Sequence, residues 1–285
     1  MQNCYLIFPQ YNPILFSIGI FSIHWYGIMY LISFYFIMWS AIKRVHLICL
    51  NKKKIENILY YSFLNAVIGG RLGYVLLYKM DTLILDPYYI FKIWEGGMSF
   101  HGGLIGATCS IYYFSKLYKY QFFKITDFFV PLVPFGLGAG RIGNFINGEL
   151  WGRVNTSFCL TMLFPNSQSE DIKLLQENPQ WQSIFDQYHV LPRHMSQIYE
   201  MFLEGILLFI ILNFFVKKCM PTGYLSGLFL LLYGIFRIIA ECFRQPDPQI
   251  GFLFDYISLG QILSFPMILI GIILIIYSYC RIKKN

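Results

Sequence analysis

Apolar stretches of about twenty residues, repeated along the chain and bounded by charges, constrain its fold more than any other feature. A run of that length crosses hydrocarbon as a helix, and inside a bilayer only helices and closed barrels satisfy their own backbone groups. Seven such runs lie at about 14–42, 56–79, 99–116, 125–147, 196–216, 222–244 and 257–280. The chain of 285 residues is 56% hydrophobic and only 13% charged, where soluble domains carry about a quarter charged residues. The sequence therefore predicts an all-α, polytopic integral membrane protein with about seven transmembrane helices. The first run is long enough to tilt or to break near Gly27. No basic residue stands in Met1–Phe16 ahead of it, so it reads as a retained span and not as a cleaved signal peptide.

Basic residues set the orientation. Lys43, Arg44, Lys52, Lys53 and Lys54 follow the first run; Lys116, Lys119 and Lys124 separate the third and fourth; Lys217 and Lys218 follow the fifth; Arg281, Lys283 and Lys284 end the chain. Those thirteen of the 22 Lys and Arg fall on one side of a seven-span arrangement, with Glu56 and Asp127 for company. The opposite loops hold Asp81, Asp86, Glu170, Asp171, Glu177, Asp186, Asp247 and Asp255. The positive-inside rule then puts the N-terminus outside and the C-terminus in the cytoplasm. The net charge of +7 is a topology signal and gives no reason to expect a nucleic-acid partner. The one sizeable piece outside the membrane, about 152–194, reads as a small outer cap with little core of its own, inserted into a single membrane-embedded domain covering 1–285.

Seven cysteines (Cys4, Cys49, Cys109, Cys159, Cys219, Cys242, Cys280) are scattered singly, which is neither a disulfide framework nor a zinc site. No nucleotide-type glycine loop and no paired His/carboxylate metal motif occurs, so no metal and no cofactor is expected.

Charges inside the runs carry the functional information. Arg71, Arg141 and Arg237 stand about six to eight residues from the outer ends of three separate runs, roughly 9–12 Å below the surface at the helical rise. A buried guanidinium costs at least about 2.5–3.5 kcal/mol on insertion scales, so it is kept for a partner or an anionic ligand. Glu200 and Glu204 open the fifth run one helical turn apart, and Glu241 follows Arg237 by four, the spacing of an intrahelical pair. For Arg71 and for Glu204, a purely structural role, pairing with other intramembrane charges to pin helices together, is an equal alternative. Three arginines at one depth argue for a polar cavity opening to the outer leaflet. Gly96, Gly97, Gly102, Gly103 and Gly106 surround His101 at the mouth of the third run, and Gly136, Gly138, Gly140 and Gly143 lead to Asn144; such glycines let backbones approach a neighbour or ligand closely.

The fourteen residues Gly140–Arg153 (GRIGNFINGELWGR) resemble the signature of the bacterial prolipoprotein diacylglyceryl transferase family. Shorter matches accompany it in order: His24-Trp25-Tyr26-Gly27, Gly96 to Gly103, His194 to Glu200, Phe243 to Asp247, and Gly260 to Ser264. Met195 stands where the family usually has proline, and Gln245 where it often has glutamate. The resemblance implies an inner-membrane, multi-pass transferase with a periplasmic N-terminus and cap. Its partners would be phosphatidylglycerol and a preprolipoprotein signal peptide bearing a lipobox cysteine. The diacylglyceryl group would pass to that cysteine, forming a thioether and releasing glycerol phosphate. Taken together, the motifs and the charges inside the runs give His101, Arg141 and Arg237 as the expected catalytic residues. The expected substrate-binding residues are Tyr26, Asn144, Glu149, Gly152, Arg71, Glu200, Glu241 and Arg244.

The chemistry is consistent with those types. Guanidinium grips phosphate through parallel hydrogen bonds and stabilises charge gathering on a leaving phosphate. A free thiol is only a few per cent ionised at neutral pH, so His101 is a candidate base, with Tyr26 as the alternative for positioning or proton relay. Buried arginines also line anion pathways, which leaves a transporter as the main rival. That reading expects charge along the whole membrane depth and pseudo-symmetric halves, which the sequence lacks. A scaffold role is the third class.

Overall fold

In a computed structural model the described residues are 5–18, 21–92, 96–158, 160–218, 220–246, 252–253 and 257–282. Cys4, Trp94, Glu95, Cys159, Cys219, Asp247, Asp255, Lys283 and Lys284 lie outside them. The protein is mainly helical, and its long helices are α1 (Trp25–Lys43), α2 (Lys52–Tyr78), α3 (Phe100–Leu117), α4 (Phe122–Ile146), α5 (Ser196–Val216), α6 (Tyr224–Glu241) and α7 (Leu259–Ile282). Five of them, α1, α4, α5, α6 and α7, are long and apolar enough to cross a membrane. Only 17% of the spanning window of α1 and 11% of that of α7 is buried inside the protein. Apolar helices left that open need hydrocarbon around them, so this is a helical integral membrane protein.

The first run departs from expectation. Residues 14–24 are not the start of a span: Ile14–Ile18 (β2) and Phe21–His24 (β3) pair as an antiparallel hairpin, and helix begins only at Trp25. Hydropathy does not distinguish an apolar strand from an apolar helix. The Asn12 side chain accepts a hydrogen bond from the Ile14 backbone N–H at 2.9 Å just before the hairpin, a local turn that competes with helix.

The chain divides into two compact units, Phe36–Phe129 and the remainder, Met1–Tyr35 with Val130–Asn285. In the first, α2 and α3 run against each other along their length. Asn51 caps α2 by accepting from the Lys54 N–H at 2.9 Å, and Ser99 caps α3 by accepting from the Gly102 N–H at 3.3 Å. Gly69 and Gly73 on α2 meet Gly102 on α3 so closely that no Cβ fits at the contact.

In the second unit, α5 and α6 share an apolar core of Leu208, Leu212, Leu225, Leu228 and Phe236. Gly227 and Gly271 seat α6 against α7. Pro131 and Pro134 accompany a 3-10 stretch at Val130–Leu132 within α4, where missing N–H donors favour a tighter turn. Segment 152–194 has a larger core than its composition suggested, because it recruits the N-terminal strand. Strands Leu6–Ile7 (β1), Thr161–Leu163 (β4) and Pro192–His194 (β5) form one sheet in the order β1-β4-β5, and Phe8 packs with Met162 and Phe164. Within it, fully buried Arg193 donates through Nε to Asp171 at 2.9 Å, and Asp171 also accepts from Ser167 Oγ and the Leu191 N–H.

Candidate active site

Two glycines decide how closely α4 approaches α5. A Cβ added to Gly205 would lie 2.7 Å from the Cα of Gly138, so neither position accepts a side chain without parting the helices. Arg141 comes three residues after Gly138, on the same face, and the short interhelical distance brings its guanidinium to the α5 carboxylates. The α5 backbone is unusual at that level: Met201–Leu207 is a π-helical turn. Such turns are rare and occur often at functional sites, because the extra residue re-aims the side chains around it.

The result is a compact ion network. Glu200 contacts Arg141 Nε at 2.7 Å, Arg237 Nη1 at 3.0 Å and Arg244 Nη1 at 3.4 Å. Glu204 contacts Arg141 Nη2 and Arg237 Nη1, both at 3.5 Å. Glu241 pairs with Arg237 Nη2 at 2.9 Å, the intrahelical pair that its spacing announced. The side chains of Glu200 and Glu204 are 2% and 0% exposed, whereas those of Arg141 and Arg237 keep 18% and 14%. The carboxylates are sealed behind the guanidiniums, and the accessible face of the network is cationic.

A second polar arm extends from Arg141. Its Nη1 donates to Asn144 Oδ1 at 3.5 Å, and Asn144 Nδ2 donates to Glu149 Oε1 at 2.9 Å. Asn147 Nδ2 donates to the same oxygen at 3.3 Å. The turn that carries Glu149 is held by Gln197 Nε2 on the Glu149 carbonyl and by Ser196 Oγ on the Leu150 carbonyl, both at 2.7 Å. Gly148 takes the left-handed conformation there, with φ of 62°, which glycine adopts without strain. Tyr26 lies over Gly143, where an added Cβ would sit 2.8 Å from its ring, and its hydroxyl is 3.0 Å from that of Tyr30. The charges of Arg141 and Glu149 both act on it.

Gly152 is a crossing point. Its N–H donates to the His194 carbonyl at 2.8 Å, its carbonyl accepts from Arg193 Nη1 at 3.1 Å, and it bridges Arg244. A Cβ there would lie 2.6 Å from both His194 and the Phe243 carbonyl. Gly152→Ala is therefore expected to displace Arg244 from Glu200 and lower activity at least tenfold; turnover and thermal midpoint of the purified variant test this. Nearby, the His194 ring lies between Asn155 Nδ2 and the Tyr199 hydroxyl, and burial lowers its pKa, favouring the neutral imidazole.

Arg71 and His101 belong to the other unit. All five N–H donors of Arg71 go to backbone carbonyls, those of Tyr89, Ile90, Lys92, Gly96 and Gly97. That arrangement leaves no donor for an anion and fits the structural alternative for Arg71, with backbone carbonyls as its partners in place of other charges. His101 is the second residue of α3, exposed, with its ring 5.7 Å from that of Phe100. The structure thus brings together Arg141, Arg237, Glu200, Glu241, Arg244, Asn144, Glu149, Gly152 and Tyr26 within one unit. Sequence reasoning missed Glu204 as a partner of Arg141 and Arg237; its spacing of four from Glu200 was the available signal. It also missed Arg153, whose Nε donates to the Arg244 carbonyl at 3.1 Å and Nη2 to that of Glu241 at 3.3 Å. Among the described residues no group of His, Cys, Asp or Glu is arranged to hold a metal ion.

The sequence matches the prolipoprotein diacylglyceryl transferase family over residues 13–277. It is 74% identical over 278 residues to the phosphatidylglycerol–prolipoprotein diacylglyceryl transferase of Wigglesworthia glossinidia brevipalpis, covering 98% of this chain and 100% of that protein. It is 57% identical over 284 residues to the Yersinia enterocolitica protein of the same name, and 55% over 283 residues to that of Pectobacterium carotovorum. Each of these two alignments covers 99% of this chain and 98% of the relative.

Proposed function

The chain belongs to the prolipoprotein diacylglyceryl transferase family, and on that premise we propose how its residues carry the transfer. The protein is a transferase that moves the diacylglyceryl group of phosphatidylglycerol to the thiol of a preprolipoprotein lipobox cysteine, the first step of lipoprotein maturation. The observation that carries our reading is that Arg141 and Arg237 converge on the same two sealed carboxylates while their own side chains stay partly exposed.

The lipid phosphate docks on those two guanidiniums, which hold it through paired hydrogen bonds in a site of low dielectric. The substrate sulfur attacks the glycerol carbon and the carbon–oxygen bond to phosphate breaks. Its electron pair leaves with glycerol phosphate, and the thiol proton passes to a base. The arginines stabilise the charge gathering on the leaving oxygen. Asn144, fixed by Glu149, adds a neutral side to the cradle; Tyr26 borders it. Glu200, Glu241 and Arg244 act by setting the guanidinium positions, and Gly152 by letting Arg244 reach them. Arg71 contributes by holding the glycine-bearing segment before His101. His101 takes the thiol proton. His101→Asn is expected to slow transfer most at neutral pH, with the deficit shrinking as pH approaches the thiol's own pKa near 8.5. A deficit constant across pH removes His101 from proton transfer and leaves Tyr26.

The membrane arrangement we propose has seven spans, N-terminus periplasmic and C-terminus cytoplasmic, in the bacterial inner membrane. Segment 152–194 is a periplasmic cap on a single catalytic domain covering 1–285. Purified protein incubated with phosphatidylglycerol and a lipobox peptide should give the lipidated peptide and glycerol phosphate in equal amounts. Anion flux in liposomes without peptide modification would overturn the reading.

A further inference from the structure

Among the described residues the charges of the arginine network balance before any ligand arrives. Three guanidiniums (Arg141, Arg237, Arg244) face three carboxylates (Glu200, Glu204, Glu241). At its two ends Glu149 and Arg153 add one charge of each sign. A phosphodiester brings one further negative charge. The carboxylates are almost wholly shut off from water, so solvent cannot screen that excess, and one anion of the group becomes uncompensated.

The three carboxylates are not held alike. Glu200 contacts three arginines, the nearest at 2.7 Å, and Glu241 is paired with Arg237 at 2.9 Å. Glu204 has only the two contacts at 3.5 Å, and its side chain is 0% exposed; its Oε2, like that of Glu241, accepts no hydrogen bond, so the longer contacts are what set Glu204 apart. The charged and titratable groups facing it are Arg141 from α4, Arg237 and Tyr233 from α6, and Glu200 one turn before it on α5. Arg141 and Arg237 are the two that a bound phosphate would share, so docking takes donors away from Glu204 in particular. Like charges competing for one set of cations resolve their repulsion by protonating the least supported member.

We propose that Glu204 takes up a proton from bulk water when a phosphodiester anion docks on Arg141 and Arg237. The inference rests on the assignment of those arginines as the phosphate cradle. Glu204 is then a positioning residue whose charge is exchanged for that of the lipid, so that the net charge of the network is the same in both states.

The test is titration calorimetry of the full-length protein in detergent micelles with short-chain phosphatidylglycerol and no peptide acceptor. Buffers of different ionisation enthalpy at one pH report the protons exchanged. Wild type should take up about one proton per lipid near neutral pH, and its affinity should weaken about tenfold per pH unit from 6 to 8. Glu204→Gln should lose both the uptake and the slope and bind more tightly at pH 8, while Glu241→Gln should retain both. An unchanged proton count in Glu204→Gln overturns the inference. So does the absence of uptake by wild type at every pH, a result that needs no variant to fold. Lipid binding indifferent to both Arg141→Lys and Arg237→Lys overturns the cradle assignment itself, and that outcome is read from affinity, independently of the proton count.

Discussion

Replacing Arg141 with lysine is expected to lower turnover with phosphatidylglycerol by about two to three orders of magnitude while leaving the protein folded in the membrane. The size follows from what one preorganised donor to a developing oxyanion contributes, about 10²–10³ in kcat. Folding should survive because a lysine ammonium keeps the positive charge opposite Glu200 and Glu204, which Arg141 now contacts at 2.7 and 3.5 Å. What lysine lacks is the planar fork that can hold carboxylate through one edge and phosphate through the other. Alanine is the poorer probe. It would strand sealed carboxylates, and breaking a buried ion pair from one side costs about 3–5 kcal/mol, so lost activity would be confused with lost structure. The comparison that decides is kcat and KM for the lipid beside the thermal midpoint of the same preparation. Turnover within a few-fold of wild type, at an unchanged midpoint, would show that Arg141 serves the architecture and not the phosphate. The same reasoning applies to Arg237→Lys, with a larger loss of stability because that side chain also holds Glu241 at 2.9 Å.

How far the sequence already disclosed this site depends on what kind of information each residue carries. Arg141, Arg237, Glu200 and Glu241 were legible because a charge inside an apolar run needs a partner, and the spacing of Arg237 and Glu241 named one pair outright. Most helix ends were legible to within a few residues too, since lysines flank the apolar runs; the caps Asn51 and Ser99, which fix where α2 and α3 begin, became visible only in the fold. The choice of partners was not. Glu204 meets Arg141 and Arg237 because Gly205 lets α5 close on Gly138 and because a π-turn re-aims the carboxylates. Neither the rotation of a helix nor an extra residue in one of its turns is written in hydropathy. Arg71 misled for a related reason: a buried cation can be satisfied entirely by carbonyls of an irregular segment, and such acceptors have no side-chain signature. The hairpin at 14–24 was hidden because Ile14, Leu15, Phe16 and Ile23 are as apolar in a strand as in a helix. Gly152 was visible as part of a motif, but its function as a crossing of three backbone segments needed the fold.

Glu200→Gln should separate stability from lipid affinity by moving them in opposite directions. Glu200 is the hub of the network, with three arginines at 2.7, 3.0 and 3.4 Å. Converting it to an amide keeps the shape but leaves, among the described residues, three guanidiniums against two carboxylates, one positive charge more than in wild type at a sealed site. Removing one side of a buried pair costs about 3–5 kcal/mol, and an amide that still accepts hydrogen bonds should place the loss toward the lower figure. Thermal stability in detergent should therefore fall clearly. The uncompensated charge, however, is the one a phosphodiester supplies, so phosphatidylglycerol should bind more tightly than to wild type and restore part of the lost stability on binding. A zwitterionic lipid of the same chain length should restore far less, because it brings no net charge. Midpoints measured with and without each lipid decide the matter. If both lipids stabilise Glu200→Gln equally, the pocket beside Glu200 recognises acyl chains and not phosphate charge, and the electrostatic account of substrate choice fails even though the ion network remains.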